Sequence, residues 1–132
     1  MAIYTNLPIY KAAYGLMLSV SKIMPLLPRD SRYSLGQDCC RKIMDIIVLI
    51  YRANRMRHKT RTISTMRETL LEVQVYIRLM CDLRHISERK YVELVEQTAS
   101  MSKQMAAWEK SEQQKESDGN HGEDGLCRNA ED

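Results

Sequence analysis

Apolar residues recur every three or four positions along most of residues 1–110, a spacing that predicts four amphipathic helices. Pro8 can open the first helix, and Pro25 and Pro28 end it because proline cannot continue helical hydrogen bonding. Four helices of similar length with short links predict an all-α fold, an antiparallel up-down four-helix bundle over residues 1–110. The repeats comprise Ile9, Ala13, Leu16, Val20 and Met24; Cys39, Ile43, Ile47, Ile50 and Tyr51; Met66, Leu70, Val73, Ile77 and Met80; and Tyr91, Leu94, Val95, Met101, Met105 and Trp108.

Hydroxyl residues mark the predicted starts of the later helices. Ser34 with Gln37, and Thr65 with Glu68, have the spacing of a capping box, in which side chains satisfy free helix amides. Ser87 is the predicted cap of the fourth helix. The run IIVLIY is rich in β-branched residues, as a buried strand would be. Its position inside a longer helical repeat, without a turn signal on either side, favours a helix.

The second and third helices carry more apolar residues than a monomeric bundle requires. Within residues 43–51 only Asp45 is charged, and within residues 75–83 only Arg78 and Asp82 are, at a spacing that lets them pair. A helix that is apolar all round is buried all round, so we expect contacts with neighbouring subunits in a homo-oligomer. A wider intramolecular core with tyrosine at its rim is the alternative. The predicted oligomer interface comprises Ile46, Ile47, Leu49, Ile50, Tyr76 and Leu79.

Formal charge divides the chain into a basic body and an acidic tail. Residues 1–110 contain 18 Lys and Arg against 10 Asp and Glu, a net charge of +8. Residues 111–132 contain 2 against 7, a net charge of −5, and their composition predicts disorder. The basic body favours a polyanionic partner, and the tail either screens that basic surface or serves only solubility.

The densest basic segment links the second and third helices, where residues 52–61 hold five fixed cations and no acidic residue. Arg52 and Arg55 also suit the end of a helix, where cations favour the helix dipole, whereas the other three have no such local reason. We expect phosphate contacts here, with a charged solvated surface as the alternative. The predicted contacts are Arg52, Arg55, Arg57, Lys59 and Arg61, followed by a second set at the other end of the bundle, Arg29, Arg32, Arg84, Arg89 and Lys90.

Motifs for catalysis are missing from the sequence. It has no glycine-rich phosphate loop, paired-histidine metal motif or glycine-flanked nucleophilic serine. We interpret His58, His85 and His121 as surface histidines, and Cys39 and Cys40 as reduced structural thiols; a small thiolate enzyme is a third hypothesis. The prediction is a non-enzymatic protein without metal or cofactor. No secretory leader and no apolar stretch of membrane-spanning length is found, so we expect a cytoplasmic protein without membrane association.

Five segments taken in chain order are LPIYKAAY, LPRDSRYSLGQD, LIYRANR, RLMCDLRHISERKY and MAAWEK. Together they resemble a family of small bacterial four-helix-bundle proteins, and the likeness covers about residues 3–111. That family includes the accessory variability determinant of diversity-generating retroelements and the proteins encoded in intervening sequences of large-subunit ribosomal RNA. Its aromatic–hydroxyl–Leu–Gly pattern is found at residues 33–36, and its tryptophan at Trp108 follows two alanines where the family often has glycines.

The resemblance implies a basic, barrel-like homopentamer of four-helix bundles. In a retroelement it would bind a reverse transcriptase and its template RNA or cDNA during mutagenic reverse transcription. The family's contacts are spread over surface basic residues rather than a motif, so the resemblance implies no catalytic residue. The intervening-sequence members imply the alternative, a self-assembling bundle of unknown role.

Overall fold

The computed structural model describes the backbone of residues 3–123 and the side chains of residues 3–119, and this part of the chain contains helices and no strand. Four long helices form the fold: α1 (Pro8–Ile23), α2 (Gln37–Arg55), α3 (Thr60–Asp82) and α4 (Glu88–Glu123). Each helix packs on its neighbours in sequence, and α1 also packs on α4. The helices therefore stand in a square in the order α1–α2–α3–α4, which confirms the predicted all-α four-helix fold.

The core is built from one stripe of each helix, but the predicted stripe of α2 was wrong at Ile47 and Tyr51, since Ile46 and Ala53 are the buried residues there, and Val95 of α4 is exposed. Pro8 lies at the start of α1, where its missing N–H has no helical partner to lose. Ile23 closes the α1 stripe because Met24 already belongs to a 3₁₀ turn, Met24–Leu26. No described helix is long and apolar enough to cross a membrane. The buried stripes comprise Ile9, Ala13, Leu16, Val20 and Ile23; Cys39, Ile43, Ile46, Ile50 and Ala53; Ile63, Met66, Leu70, Val73, Ile77 and Met80; and Leu94, Met101 and Met105.

The link between α1 and α2 is largely helical. A short turn, Arg29–Ser31, continues as a π-helical segment, Arg32–Gly36, and runs directly into α2. The hydroxyl of Ser34 therefore donates to the carbonyl oxygen of Asp30 (2.8 Å) instead of capping α2. The predicted capping box of Ser34 and Gln37 is wrong, because the preceding helical turn supplies carbonyl acceptors to the first amides of α2.

Helix α3 begins earlier than predicted, at Thr60. The hydroxyl of Thr65 donates back to the carbonyl oxygen of Arg61 (3.2 Å), as it does inside a helix, so the predicted capping box of Thr65 and Glu68 is wrong. The connector between α2 and α3 therefore shrinks to residues 56–59. In contrast, the hydroxyl of Ser87 accepts a hydrogen bond from the amide of Lys90 (3.1 Å), which confirms the predicted cap of α4.

Helix α4 continues well beyond the residue at which disorder was predicted. It has 36 residues against 23 in its neighbour α3, and it remains helical to Glu123. The prediction of disorder is therefore wrong for residues 111–123, whereas residues 124–132 lie outside the described part of the chain. Because α4 runs antiparallel to α3, its extra turns pass the connector between α2 and α3.

The turn after α3 places an arginine in a conformation that usually belongs to glycine. The amide of Arg84 donates to Cys81 O (2.9 Å) and the amide of His85 to Met80 O (2.8 Å), the two bonds of a Schellman motif. Arg84 is the only described non-glycine residue with positive φ, at 63°. A Cβ strains this left-handed conformation, so Arg84 costs the fold some stability.

Replacing Arg84 with glycine is expected to stabilise the protein by about 1 kcal/mol, because glycine adopts the left-handed conformation without strain. Urea unfolding of both proteins measures the difference. The matched control is Arg89→Gly in the first turn of α4, which removes the same charge and should change stability by less than about 0.5 kcal/mol, because the lower helix propensity of glycine is offset by removal of a cation from the positive end of the dipole. A loss of stability in Arg84→Gly would mean that the arginine makes contacts that outweigh the strain.

Candidate nucleic-acid interface

Five cations surround the connector between α2 and α3, a region that we name the connector end. Arg52, Arg55, Arg57 and Arg61 are exposed, and Lys59 is half-buried. Among the described residues, no carboxylate lies within ion-pair distance of any of the five. These charges are therefore not neutralised by their own surface, and they give this end a positive potential that attracts polyanions.

The start of α3 adds to that potential. No side chain caps its amides, and its first turn contains no acidic residue. The N-terminus of a helix is the positive end of its dipole and its free amides attract anions, whereas nearby cations are unfavourable there. Lys59 stands at the N-cap and Arg61 in the first turn, so both destabilise α3 slightly while strengthening the attraction for a phosphate.

Two of the five side chains also make local contacts. The guanidinium of Arg55 donates to the hydroxyl of Tyr51 (2.8 Å) and lies 5.4 Å from the centre of its ring, a cation–π arrangement. The ammonium of Lys59 donates to the carbonyl oxygen of Met56. Tyr51 was not predicted as part of this end, although its four-residue spacing from Arg55 is the signal that would have placed them together.

The second predicted basic set does gather at the opposite end of the bundle. The hydroxyl of Ser31 and Nε2 of His85 are 2.7 Å apart, which joins the α1–α2 link to the α3–α4 turn. Arg29, Arg84 and Arg89 are exposed around this junction. His85 is thus a half-buried structural side chain rather than a free surface histidine.

Two members of that second set make local contacts, and their predicted phosphate contact stays a prediction. The guanidinium of Arg32 donates to the carbonyl oxygens of Met24 (3.2 Å), Pro25 (3.1 Å) and Leu27 (3.1 Å), and it therefore ties the α1–α2 link together. The ammonium of Lys90 pairs with Glu93 on the same helix at 3.1 Å. Three cations without such contacts therefore remain at each end, and the connector end differs in that none of its five cations forms an ion pair with a described carboxylate.

Acidic residues of α4 flank the connector end, and none of them was predicted to do so. Glu109 pairs with Arg67 of α3, and Oε2 of Glu116 lies 4.0 Å from Nδ1 of His58 in the connector. Glu112 is only 5% exposed. Their positions could have been predicted from helical spacing. Glu112 lies four residues after Trp108 and seven after Met105, and Glu116 lies four residues later, so both continue the inward stripe of α4.

Two exposed apolar faces lie on opposite sides of the square, one along α1 and α2 and the other along α3 and α4. On the first, Tyr4 links the two helices by edge contacts with Tyr10 (5.3 Å) and Tyr51 (5.1 Å). On the second, α3 and α4 enclose an open groove of about 490 Å³. The α1–α2 face exposes Tyr14, Leu18, Met44, Val48 and Tyr51, and the α3–α4 face exposes Leu71, Val75, Leu79, Val92 and Val95.

The predicted oligomer interface needs correction at two positions. Ile46 and Ile50 are completely buried in the bundle's own core, so they cannot contact another subunit. Ile47, Leu49 and Tyr76 are half-buried at the edges of that core, and Leu79 lies on the exposed α3–α4 face. The predicted ion pair between Arg78 and Asp82 forms (3.1 Å). Arg41 also pairs with Asp38 (2.8 Å), and Lys42 pairs with Glu72 of α3 (2.9 Å).

The thiols lack the environment of a nucleophile. Burial, together with a smaller effect of the neighbouring Cys40, raises the pKa of Cys39 to about 12. Burial also raises the pKa of Cys40, partly offset by a hydrogen bond with Ser21. A raised pKa keeps both side chains in the unreactive thiol form near neutral pH, so the structure gives the thiolate-enzyme hypothesis no support.

The fold and the surface define the chain as an all-helical four-helix-bundle protein with a basic end. No protein-family model matches the sequence, and no curated protein does either.

Proposed function

We propose that this protein is a non-enzymatic accessory protein of a diversity-generating retroelement, acting in the bacterial cytoplasm. It binds a reverse transcriptase and its template RNA or cDNA through a basic oligomer surface and so supports mutagenic reverse transcription. The proposal joins the family resemblance to the arrangement of charges on the bundle. Its chemistry is phosphate contact and electrostatic steering, without base readout.

The observation that carries the proposal is the set of unpaired cations at the connector end. Arg61 and Lys59 stand at the positive end of the α3 dipole, where they oppose helix stability, and no described carboxylate neutralises them. Charged residues that destabilise the helix in which they lie are often retained because they bind a ligand. A phosphate group would relieve their repulsion and accept hydrogen bonds from them.

Assembly follows from the two apolar faces. A face that differs from its partner surface gives a heterologous contact, and repetition of that contact closes a ring when the rotation permits. The α1–α2 face of one subunit would cover the α3–α4 face of the next, which removes both apolar patches from water. A ring would also repeat the connector end around its rim, and the family resemblance sets the number of subunits at five.

Binding of the full-length protein to a single-stranded RNA should weaken steeply as salt rises. If all five connector-end cations contact phosphates, the slope of log affinity against log salt should be about −3.5, since each contact contributes about −0.7 with single-stranded nucleic acid. Fluorescence anisotropy of a labelled RNA measures that slope. An RNA affinity that is independent of salt would contradict the proposed phosphate contacts.

A self-assembling four-helix-bundle protein of unknown role is the second candidate, favoured by the same two apolar faces. Such a protein would form the same ring, but neither RNA nor a reverse transcriptase would bind it. Co-purification with the reverse transcriptase of its own genome separates the two candidates, because only the accessory protein is retained by that enzyme.

A further inference from the structure

The last turns of α4 keep the inward orientation of the core stripe but change its chemistry. Leu94, Met101 and Met105 are fully buried in the bundle. Glu112 and Glu116 continue the same stripe at spacings of seven and four residues, beyond the apolar core. We name residues 109–119 the acidic arm. The arm thus presents carboxylates to the connector end at positions where a continued bundle would have apolar side chains.

Contacts confirm that the arm lies against the connector end. Glu116 approaches His58 in the connector at 4.0 Å, and Glu109 pairs with Arg67 of α3. Glu112 is buried to 5% exposure, and Oε2 of Glu116 is buried without a hydrogen-bond partner among the described atoms. The hydroxyl of Thr60, at the start of α3, is likewise buried and unpartnered there.

The side chain of Glu116 is 33% exposed, and its buried oxygen Oε2 is favoured by nearby positive charge because it has no hydrogen bond among the described atoms. Lys115 of the arm itself pairs with Glu112 (3.4 Å), whereas Glu116 has no described cation of the connector end within ion-pair distance. The positive potential near Glu116 therefore comes from the cations of the connector end at longer range and from the positive end of the α3 dipole. These are the same features that would attract a phosphate. The arm and a nucleic acid therefore depend on one source of positive potential.

We infer that the acidic arm is an intramolecular competitor that occupies part of the nucleic-acid surface and is displaced when a polyanion binds. The inference rests on the proposed nucleic-acid role of the connector end. A competing arm differs from a solubilising tail because its effect depends on where each carboxylate lies as well as on its charge. Asp118 belongs to the same arm but is exposed and makes no ion pair with a described residue, so it supplies charge without contact.

The test compares two single substitutions in the full-length protein, each of which removes one negative charge. Glu116→Gln is expected to tighten binding of a labelled RNA hairpin roughly two- to fivefold at low salt, because one negative charge beside the connector is removed. Asp118→Asn should leave the affinity within error of the original protein. Equal tightening by both substitutions would show a general charge effect and would overturn the inference.

Hydrogen exchange gives a second readout that a passive arm would not change. Amides of residues 111–119 should exchange faster when the RNA hairpin is bound, because their docking surface is then occupied. Unchanged exchange with bound RNA would overturn the inference while leaving the proposed function standing. Absence of RNA binding in both the original protein and Glu116→Gln would instead overturn the proposed function, and the inference with it.

Discussion

Val75→Glu is expected to convert the proposed oligomer into folded monomers. Val75 is 53% exposed at the middle of the α3–α4 face, so a single bundle accepts glutamate there with little change in stability. In an assembled ring the same carboxylate would be buried against an apolar surface without a partner, at a cost of several kcal/mol. Light scattering after size-exclusion chromatography measures the mass, and circular dichroism measures the helix content.

A second substitution tests whether the contact joins two different faces. Val48 is 40% exposed on the α1–α2 face, and Val48→Glu should also give folded monomers. Each variant keeps one intact face, and the two intact faces are complementary. Mixing the variants should therefore restore one good contact and give dimers that contain one copy of each. If each face paired with itself, each variant alone would still form dimers.

Ser100→Glu is the matched control for both substitutions. Ser100 is exposed on α4 and lines the polar groove between α1 and α4, so the variant adds the same charge away from both apolar faces. Its mass should equal that of the unaltered protein. A monomeric unaltered protein, or an unchanged oligomer in Val75→Glu, would contradict assembly through the α3–α4 face.

The sequence was sufficient for the fold because the apolar spacing is regular in all four helices. Residues such as Leu16, Ile43 and Met66 lie on stripes that only a bundle can bury together, and each is fully buried. The prolines near both ends of α1 and the cap at Ser87 were also predicted correctly, because each acts only on the helix end next to it.

The sequence could not decide which side of an apolar helix faces inward. Residues 46–51 are apolar throughout, so periodicity alone gave no reason to separate Ile46 and Ile50, which lie in the core, from Val48, which is exposed. The separation depends on the positions of α1 and α3 relative to α2. That information comes from packing rather than from local pattern.

Polar signals were less reliable because their meaning depends on neighbours. Ser34 and Thr65 have capping spacing, yet each lies within a helix that began earlier and each bonds to the carbonyl oxygen four residues back. The acidic composition of residues 111–123 indicated disorder, although Glu112 continues the buried stripe of α4. Arg32 resembled a surface cation until the structure brought three carbonyl oxygens to it.

Replacing Arg52, Arg57 and Arg61 together with serine is expected to weaken RNA binding roughly 100-fold at low salt and to lower the salt slope by about two. All three side chains are exposed and lack ion pairs with described residues, so the effect comes from lost phosphate contacts. The matched control replaces Arg29, Arg84 and Arg89 with serine, which removes the same charge from the opposite end. Anisotropy across a salt series measures both quantities for each variant.

Stability provides an independent check on the same variant. Arg61 stands in the first turn of α3, where a cation opposes the helix dipole, whereas Arg52 stands in the last turn of α2, where a cation favours it. The two effects offset each other, so the triple substitution should leave the urea midpoint nearly unchanged. Strongly weakened RNA binding in a protein of undiminished stability would assign these arginines to the ligand rather than to the fold. Equal losses of affinity in both variants would mean that binding follows net charge alone, and the connector end would then be a charged surface without a particular role.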